Sequence, residues 1–518
     1  MLTRRTFINL GLAATLMSST TLSGFAHAAT ALSFDPEAYE VKTTTITLDG
    51  QDRAVTYHFY KQITYVSHPV DVSYQSLNLS VPVEIDGVAV DASAAPVLFN
   101  IGVGGYMPSS VYTNTEIDPP RSGPVGMPAV TERNDGTVEA ATYSNAMMSR
   151  GERVSNARLA LASGFVVAEV SARGRGLVSD AGVNYGVAPA AIVDLKAALR
   201  YLHAFNDQLP GDMDHIFTSG VSAGGALSSL VGASAGSDLY EPFLEALGAA
   251  DAVDTVFAVG AWCPITDLEH ADMAYEWNWG GNALSDGSRV DGEISGKLNE
   301  GFRAYQVSLG LKTQSGAALT VDSYPAEMII RYLEPAATAY LAALSETDRQ
   351  AYLAAHSAID FETGKAVFDW DGFLYHVGAR KKDAPSFDAL DLSTGENELF
   401  GTESVDARHF TEFSLRHARG DFNATLDEDI AQTLRLMNPM PYLLEGNAHR
   451  AKNWWIRVGA KDSDTSLSVV GNLTAAAEAL GDTVSTKMYW DEGHGANTDA
   501  SAFMDWIADL SGYTRPQF

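Results

Sequence analysis

The stretch His215-Ile-Phe-Thr-Ser219-Gly220-Val221-Ser222-Ala223-Gly224-Gly225-Ala226-Leu-Ser-Ser-Leu-Val231 decides the fold. Its opening residues read as a short buried strand, and residues 226–231 have the apolar spacing of a helix. Between them stands G-x-S-x-G, here Gly220-Val221-Ser222-Ala223-Gly224. A tight strand-to-helix turn of this kind projects the serine hydroxyl at the edge of a sheet, and its glycines let neighbouring backbone come close. The pentapeptide alone occurs by chance. Its position between a strand and a helix start separates it from an incidental turn serine.

Working outward, short apolar runs at 97–101, 165–170, 216–219, 256–261, 454–458 and 486–490 read as buried strands. Ala188-Pro-Ala-Ala-Ile-Val-Asp-Leu-Lys-Ala-Ala-Leu-Arg-Tyr-Leu-His203 has apolar positions every three to four residues, which predicts a crossover helix between the second and third runs. Strand, helix and strand in alternation imply an α/β fold with a mostly parallel sheet covered on both faces. The proline-rich stretch Asp118-Pro-Pro-Arg-Ser-Gly-Pro-Val-Gly-Met-Pro128 is neither helix nor central strand, because proline fixes φ and lacks a donor. Between 266 and 450 no comparable strand followed by a helix appears. Residues 335–356 look helical and 368–375 are rich in aromatics. This segment is expected to be a large, mainly helical lid inserted over the carboxyl edge of the sheet, where such sheets bind ligands. A separate domain with its own partner is the alternative.

The 518 residues allow about three domains at roughly 150 residues each. Hydrophobic residues are 46% and charged residues 19%, which excludes disordered and fibrous classes. The net charge of -31 repels phosphate backbones and anionic headgroups, so neither nucleic acid nor a membrane is an expected partner. The single cysteine, Cys263, excludes an intramolecular disulfide and a cysteine-based zinc site.

Residues 1–28 carry Arg4-Arg5, a short apolar stretch and Ala26-His27-Ala28, the order of a twin-arginine signal peptide. The apolar part, 8–17, is too short to span a bilayer of about 30 Å. Export to the periplasm or medium is therefore expected, with the mature chain beginning near residue 29.

A serine hydroxyl is a poor nucleophile at neutral pH and needs a base held by an acid. The order that accompanies this turn is serine, acid, histidine. Of 12 histidines, His494 in Asp491-Glu-Gly-His-Gly495 follows the last strand and is flanked by glycines. The acid should follow the strand at 454–458, where Asp462 is the first choice, with Asp464 and Asp267 as alternatives. That acid would fix the imidazole tautomer and stabilise the imidazolium. For the oxyanion, one donor should be the N–H of Ala223 and the other the N–H of Gly104 or Gly105, in the glycine-rich Asn100-Ile-Gly-Val-Gly-Gly-Tyr106. The alternative for the latter is an ordinary glycine-rich turn.

With these residues in place, the chain resembles bacterial tannases (tannin acyl hydrolases) of the α/β-hydrolase fold. The resemblance runs from about Tyr57 to the C-terminus. It rests on Val103-Gly-Gly-Tyr106, the 188–201 helix, Gly220-Val-Ser-Ala-Gly-Gly225, and Cys263-Pro-Ile265 with Leu268-Glu-His-Ala-Asp-Met-Ala-Tyr-Glu-Trp277. Pro385-Ser-Phe-Asp-Ala-Leu-Asp-Leu392 and Glu396-Asn-Glu-Leu-Phe-Gly401 complete it. The resemblance implies hydrolysis of galloyl esters without a cofactor. It further implies that Lys382 and Glu396 from the insertion, with Asp464, hold the galloyl hydroxyls; Lys381 is adjacent and competes for the first role. An ammonium donor and two carboxylate acceptors suit three vicinal hydroxyls, and such a site rejects a ring that lacks them. From composition alone Lys382 and Glu396 read as solvated surface charges. A fungal group of tannases and feruloyl esterases ties the serine and histidine neighbourhoods by a disulfide; Val221 and Gly495 occupy those places here, which excludes that group.

Three functions therefore compete: a serine esterase on galloyl esters, a feruloyl-type or broader carboxylesterase, and a non-catalytic binding protein with a hydrolase fold. A metal site at Glu269-His270 with Asp272 and Glu276 lacks H-E-x-x-H spacing. No metal and no cofactor are expected, and the partner is a small phenolic ester. The 240 residues from Ser222 to Asp462, against 32 from Asp462 to His494, favour one hydrolase domain (29–265 and 451–518) interrupted by the 266–450 lid.

Overall fold

The computed structural model describes residues 31–117, 121–122 and 154–516. The leader expected over 1–28 lies outside the described residues, as does most of the proline-rich stretch 118–128. Its described pair, Arg121–Ser122, lies in a two-residue ladder against Ser109–Ser110, away from the main sheet.

Nine strands form the main sheet, with a tenth, two-residue strand, Val88–Ala89, beside the third. They are β1 (Glu40–Leu48), β2 (Gln51–Thr64), β3 (Ser76–Ile85), β4 (Pro96–Ile101), β5 (Val166–Val170), β6 (Asp212–Val221), β7 (Ala258–Trp262), β8 (Asn453–Gly459) and β9 (Thr483–Tyr489). The spatial order is β1-β2-β3-β5-β4-β6-β7-β8-β9. From β5 to β9 all neighbours are parallel, whereas β1, β2 and β3 add an antiparallel edge. The run at 97–101 is the first strand expected from sequence, yet three precede it. Their signal is alternation: Glu40–Leu48 exposes and covers successive residues. The link to β2 is Asp49-Gly50, both at positive φ, as a two-residue hairpin requires. The last strand begins three residues earlier than 486, because Thr483–Ser485 pair with Asn453–Trp455.

β5 and β7 are buried throughout. The layers covering the sheet include the crossover helix Ala190–Ala204 and the helices Ala223–Ser234, Leu467–Ala479 and Ala500–Ser511. The chain goes from β4 outward to β5 and then returns past β4 to β6, so the strand order reverses between β4 and β6. Ligands bind at the carboxyl ends of strands at such a reversal. Ser222 follows β6, and the glycine-rich loop 102–106 follows β4.

Between Trp262 and Asn453 the chain forms a series of helices, among them Leu268–Trp279, Gly292–Ser308, Glu334–Ala343, Glu346–Ala355, Trp370–Val377 and Ile430–Met437. A short hairpin, Asp360–Glu362 with Lys365–Val367, interrupts them. The single helix suggested by 335–356 is two. Leu344 is extended, and Ser345 restarts the helix by accepting from the Asp348 N–H. This segment shares one hydrophobic cluster with the sheet, in which Trp279, Tyr324 and Phe373 belong with Trp454 and Val470. Trp279 Nε1 donates to the Thr465 carbonyl at 2.8 Å, and Tyr324 Oη donates to that of Ser468 at 2.9 Å.

Candidate active site

Ser222 has φ 62° and ψ -123°, a conformation that costs a non-glycine residue about 1–3 kcal/mol. Its surroundings enforce it. The Ser222 N–H donates to Trp262 O at 2.9 Å, and Ser222 O accepts from Ala226 N at 2.9 Å. A Cβ on Gly220 would lie 2.1 Å from Gly224 O, and one on Gly224 would lie 2.8 Å from Val103 O. The motif's glycines therefore close the turn on itself and let the loop after β4 abut it.

His494 is delivered by the loop after β9. Its Nε2 lies 2.8 Å from Ser222 Oγ and its Nδ1 lies 2.8 Å from Asp462 Oδ2, and all three residues are buried. The loop carrying Asp462 is tied to the histidine loop by Ala460 N to Tyr489 O at 2.8 Å and Lys461 N to Glu492 O at 2.9 Å. Asp491, three residues before His494, pairs with Lys461 and with His376 of the helix Trp370–Val377, each at 2.7 Å. Asp464 Oδ2 is 3.8 Å from Nδ1, and its N–H donates to Asp462 Oδ1 at 2.9 Å, so it supports Asp462. The third candidate acid, Asp267, is engaged elsewhere: it takes His270 Nδ1 at 2.8 Å and Asn438 Nδ2 at 2.7 Å. Burial opposes charge on His494, but Asp462, and then the Cys263 sulfur, raise its pKa well above the ordinary histidine value. Cys263 Sγ is 3.9 Å from Nε2. Among the described residues, Cys263, Asp462 and His494 are the group whose ligand-type atoms lie within 4.8 Å of one another. Both imidazole nitrogens are already engaged by Asp462 and Ser222, the geometry of an acid–base relay.

Ala223 is the first residue of its helix, so its N–H has no acceptor within the helix. In the facing loop, Gly104 O accepts from Met107 N at 3.0 Å, which turns the Gly105 N–H the opposite way across the trans peptide. Gly105 sits at φ +56°, and its carbonyl accepts from Arg175 Nε at 2.6 Å.

The helical segment between Trp262 and Asn453 carries the remaining expected residues. Tyr275 Oη donates to Ser463 O at 2.7 Å and accepts from the N–H groups of Lys381 (3.3 Å) and Lys382 (3.1 Å). Arg380 makes a fully buried two-pronged ion pair with Glu276 and donates to Lys382 O at 2.8 Å. These contacts hold the lysine pair beside the acid loop. Lys381 Nζ reaches Asp464 Oδ1 at 2.6 Å, while Lys382 Nζ stands 3.6 Å from the centre of the Phe387 ring. Glu396 is in the first turn of the helix Gly395–Leu399, which Thr394 caps. It is near enough to Tyr106, in the loop after β4, for its charge to add to burial in raising that phenol's pKa. Tyr275, Arg380 and Arg175 are not singled out by the sequence reading. Their signals are the tyrosine within the 268–277 motif, an arginine beside two lysines, and an arginine between two glycines after β5.

A family model described as BD-FAE matches residues 143–289. Among solved structures, the tannase of Fusobacterium nucleatum is 32% identical and superposes with a TM-score of 0.75, covering 93% of this chain and 100% of its own. The chain belongs to the tannase family. A tannin acyl hydrolase solved with ethyl gallate is 32% identical, with a TM-score of 0.74 over 93% of this chain and 99% of that one. The Lactobacillus plantarum tannin acyl hydrolase in its native form is 31% identical, with the same TM-score and coverage. No match is found among curated proteins. This tannase-family chain is accordingly a tannase-like carboxylic ester hydrolase of the α/β-hydrolase fold.

Proposed function

We propose that the protein is a serine esterase that cleaves galloyl and closely related phenolic esters through an acyl-enzyme. The observation that carries this reading is the Ser222–His494–Asp462 relay, two contacts of 2.8 Å each, at the reversal of strand order. In the first half-reaction, Ser222 Oγ attacks the ester carbonyl carbon while His494 Nε2 takes the hydroxyl proton. The carbonyl electron pair moves onto oxygen, which the N–H groups of Ala223 and of Gly105 or Gly104 would stabilise. The tetrahedral intermediate collapses, the C–O bond to the alcohol breaks, and the imidazolium returns the proton to the departing oxygen. Water then repeats the sequence on the acyl-serine and releases the free acid. Asp462 keeps the imidazole oriented and balances its positive charge.

The acyl group is read from three charged side chains. Lys382, Glu396 and Asp464 supply one donor and two acceptors for vicinal ring hydroxyls. Family members solved with ethyl gallate and with 3,4-dihydroxybenzoate support the same ring chemistry. Comparing methyl gallate, methyl ferulate and methyl benzoate on the purified protein tests the reading. Preference for methyl gallate is expected; equal turnover of all three would instead indicate a broad carboxylesterase. The 266–450 insertion is proposed to act as the lid that supplies Lys382 and Glu396.

Arg4-Arg5 and Ala26-His27-Ala28 support export by the twin-arginine route. A reporter fused to residues 1–30 should be exported and should be retained once Arg4-Arg5 is changed to Lys-Lys.

A further inference from the structure

Arg175 joins two parts of the site that the reaction uses for different purposes. It lies in the segment after β5, which is docked on the segment after β4 in fixed register. Ala172 and Ser109 exchange N–H to O bonds of 2.9 Å, and Arg175 N donates to Tyr106 O at 2.9 Å. From that anchored backbone the guanidinium divides. Nε donates to Gly105 O at 2.6 Å, and Nη1 pairs with Glu398 Oε2 at 2.5 Å. Glu398 belongs to the five-residue helix Gly395–Leu399, which also carries Glu396. Gly395 completes the joint, since a Cβ there would lie 2.4 Å from Arg175 Cζ and 2.6 Å from Nε. Only hydrogen fits at that position while the guanidinium keeps both partners.

We infer that Arg175 is a positioning residue that couples recognition of the substrate ring at Glu396 to polarisation of the ester carbonyl at the Gly104–Gly105 loop. Its guanidinium bonds the Gly105 carbonyl and Glu398, and neither belongs to the Ser222–His494–Asp462 relay. The ion pair with half-exposed Glu398 adds little stability by itself. The consequence is geometric: a planar fork holds the loop carbonyl and the helix at one separation, and a lysine, with a single point of charge, cannot hold both. When Glu396 is seated on a hydroxylated ring, the loop donors are then held at the distance the oxyanion needs. Misplacement of such groups by about 1 Å costs a factor on the order of 10² in rate.

The inference rests on the galloyl-esterase reading, and its test separates the two. Arg175→Ala, Arg175→Lys and Gly395→Ala are compared with wild type by kcat and KM on methyl gallate and methyl benzoate. Thermal melting and fluorophosphonate labelling of Ser222 report folding and the intact nucleophile. Gly395→Ala keeps the arginine and displaces it, so the two kinds of variant perturb the joint independently. Labelling should persist in all three, and kcat/KM for methyl gallate should fall about tenfold or more beyond any fall for methyl benzoate. Lysine should not restore it. Equal losses on the two esters, or full recovery with lysine, would overturn the inference while leaving the galloyl reading intact. A wild type that does not distinguish the esters would overturn the galloyl reading, and this inference with it.

Discussion

Lys381 and Asp464 form an ion pair, Nζ to Oδ1 at 2.6 Å, while the ammonium of the next residue, Lys382, is over an aromatic ring. Burial alone would push the Asp464 carboxyl up, but His494, Lys381 and Lys382 together hold it below the ordinary carboxylate value. Among the described residues the Lys382 ammonium has no ion-pair partner, so a ring hydroxyl reaching it displaces no existing bond. At Lys381 the hydroxyl must compete with Asp464. Lys382→Met should therefore lower kcat/KM for methyl gallate by about 10- to 100-fold, the cost of one hydrogen bond to a charged group. Lys381→Met should cost less. Steady-state kinetics on the two variants decide, and a larger loss in Lys381→Met would assign that lysine to the substrate.

The pH profile should follow His494. Its pKa is raised above 6.5, and the base must be neutral to take the serine proton. Activity should rise with pH through that raised pKa, which puts the acid limb of kcat/KM above pH 6.5. The same shift has the opposite sign for stability. A folded pKa above the unfolded one stabilises fully below the unfolded value, and that contribution is lost as pH rises through the folded value. Asp462→Asn should move the acid limb down and reduce kcat by about 10⁴, because the imidazole loses its counter-charge and is held in the wrong tautomer. A pH–rate profile that does not move would contradict the relay.

Ser222→Ala should lower kcat by a factor on the order of 10⁶ while leaving the melting temperature close to that of wild type. Substitution by alanine keeps the strained φ of 62°, so no stabilisation from relief of that strain is expected. Methyl gallate hydrolysis surviving unchanged would remove Ser222 from the mechanism.

The Glu276–Arg380 pair is fully buried on both sides and anchors the lysine segment. Glu276→Gln leaves the guanidinium without its counter-charge, which should destabilise the protein by about 3–5 kcal/mol. Denaturant unfolding measures that loss. At temperatures where the variant remains folded, KM for methyl gallate should rise as the 380–382 segment loosens.

Much of the sheet is legible because strands buried on both faces read as apolar runs, continuous in β7 and broken in β5 only by the buried Glu169. β1 to β3 are not among the apolar runs, although Asp49-Gly50 marks their first hairpin. β1 alternates exposed and covered residues, β3 interleaves Leu77, Leu79 and Val81 with Asn78, Ser80 and Pro82, and what assigns them to this sheet is the pairing of β3 with β5 across long sequence separations. Between Trp262 and Asn453, a local capping residue, Ser345, divides what apolar periodicity alone suggests is one helix.

The sequence by itself determined the elements whose physics is local. The Gly220–Gly224 turn is written in the close approach of its own backbone. The place of His494 follows from a glycine-flanked loop after the last strand. Only tertiary structure decided which carboxylate the imidazole meets. Asp267, Asp462 and Asp464 are chemically alike, and the choice turns on distances of 2.8 Å and 3.8 Å and on His270 having engaged Asp267 first. The same holds for Lys381 against Lys382 and for the reach of Arg175 from Gly105 to Glu398. Each joins residues far apart in the chain, and a hydrogen bond or ion pair depends on where side chains end in space, which the spacing of residues along the chain does not encode.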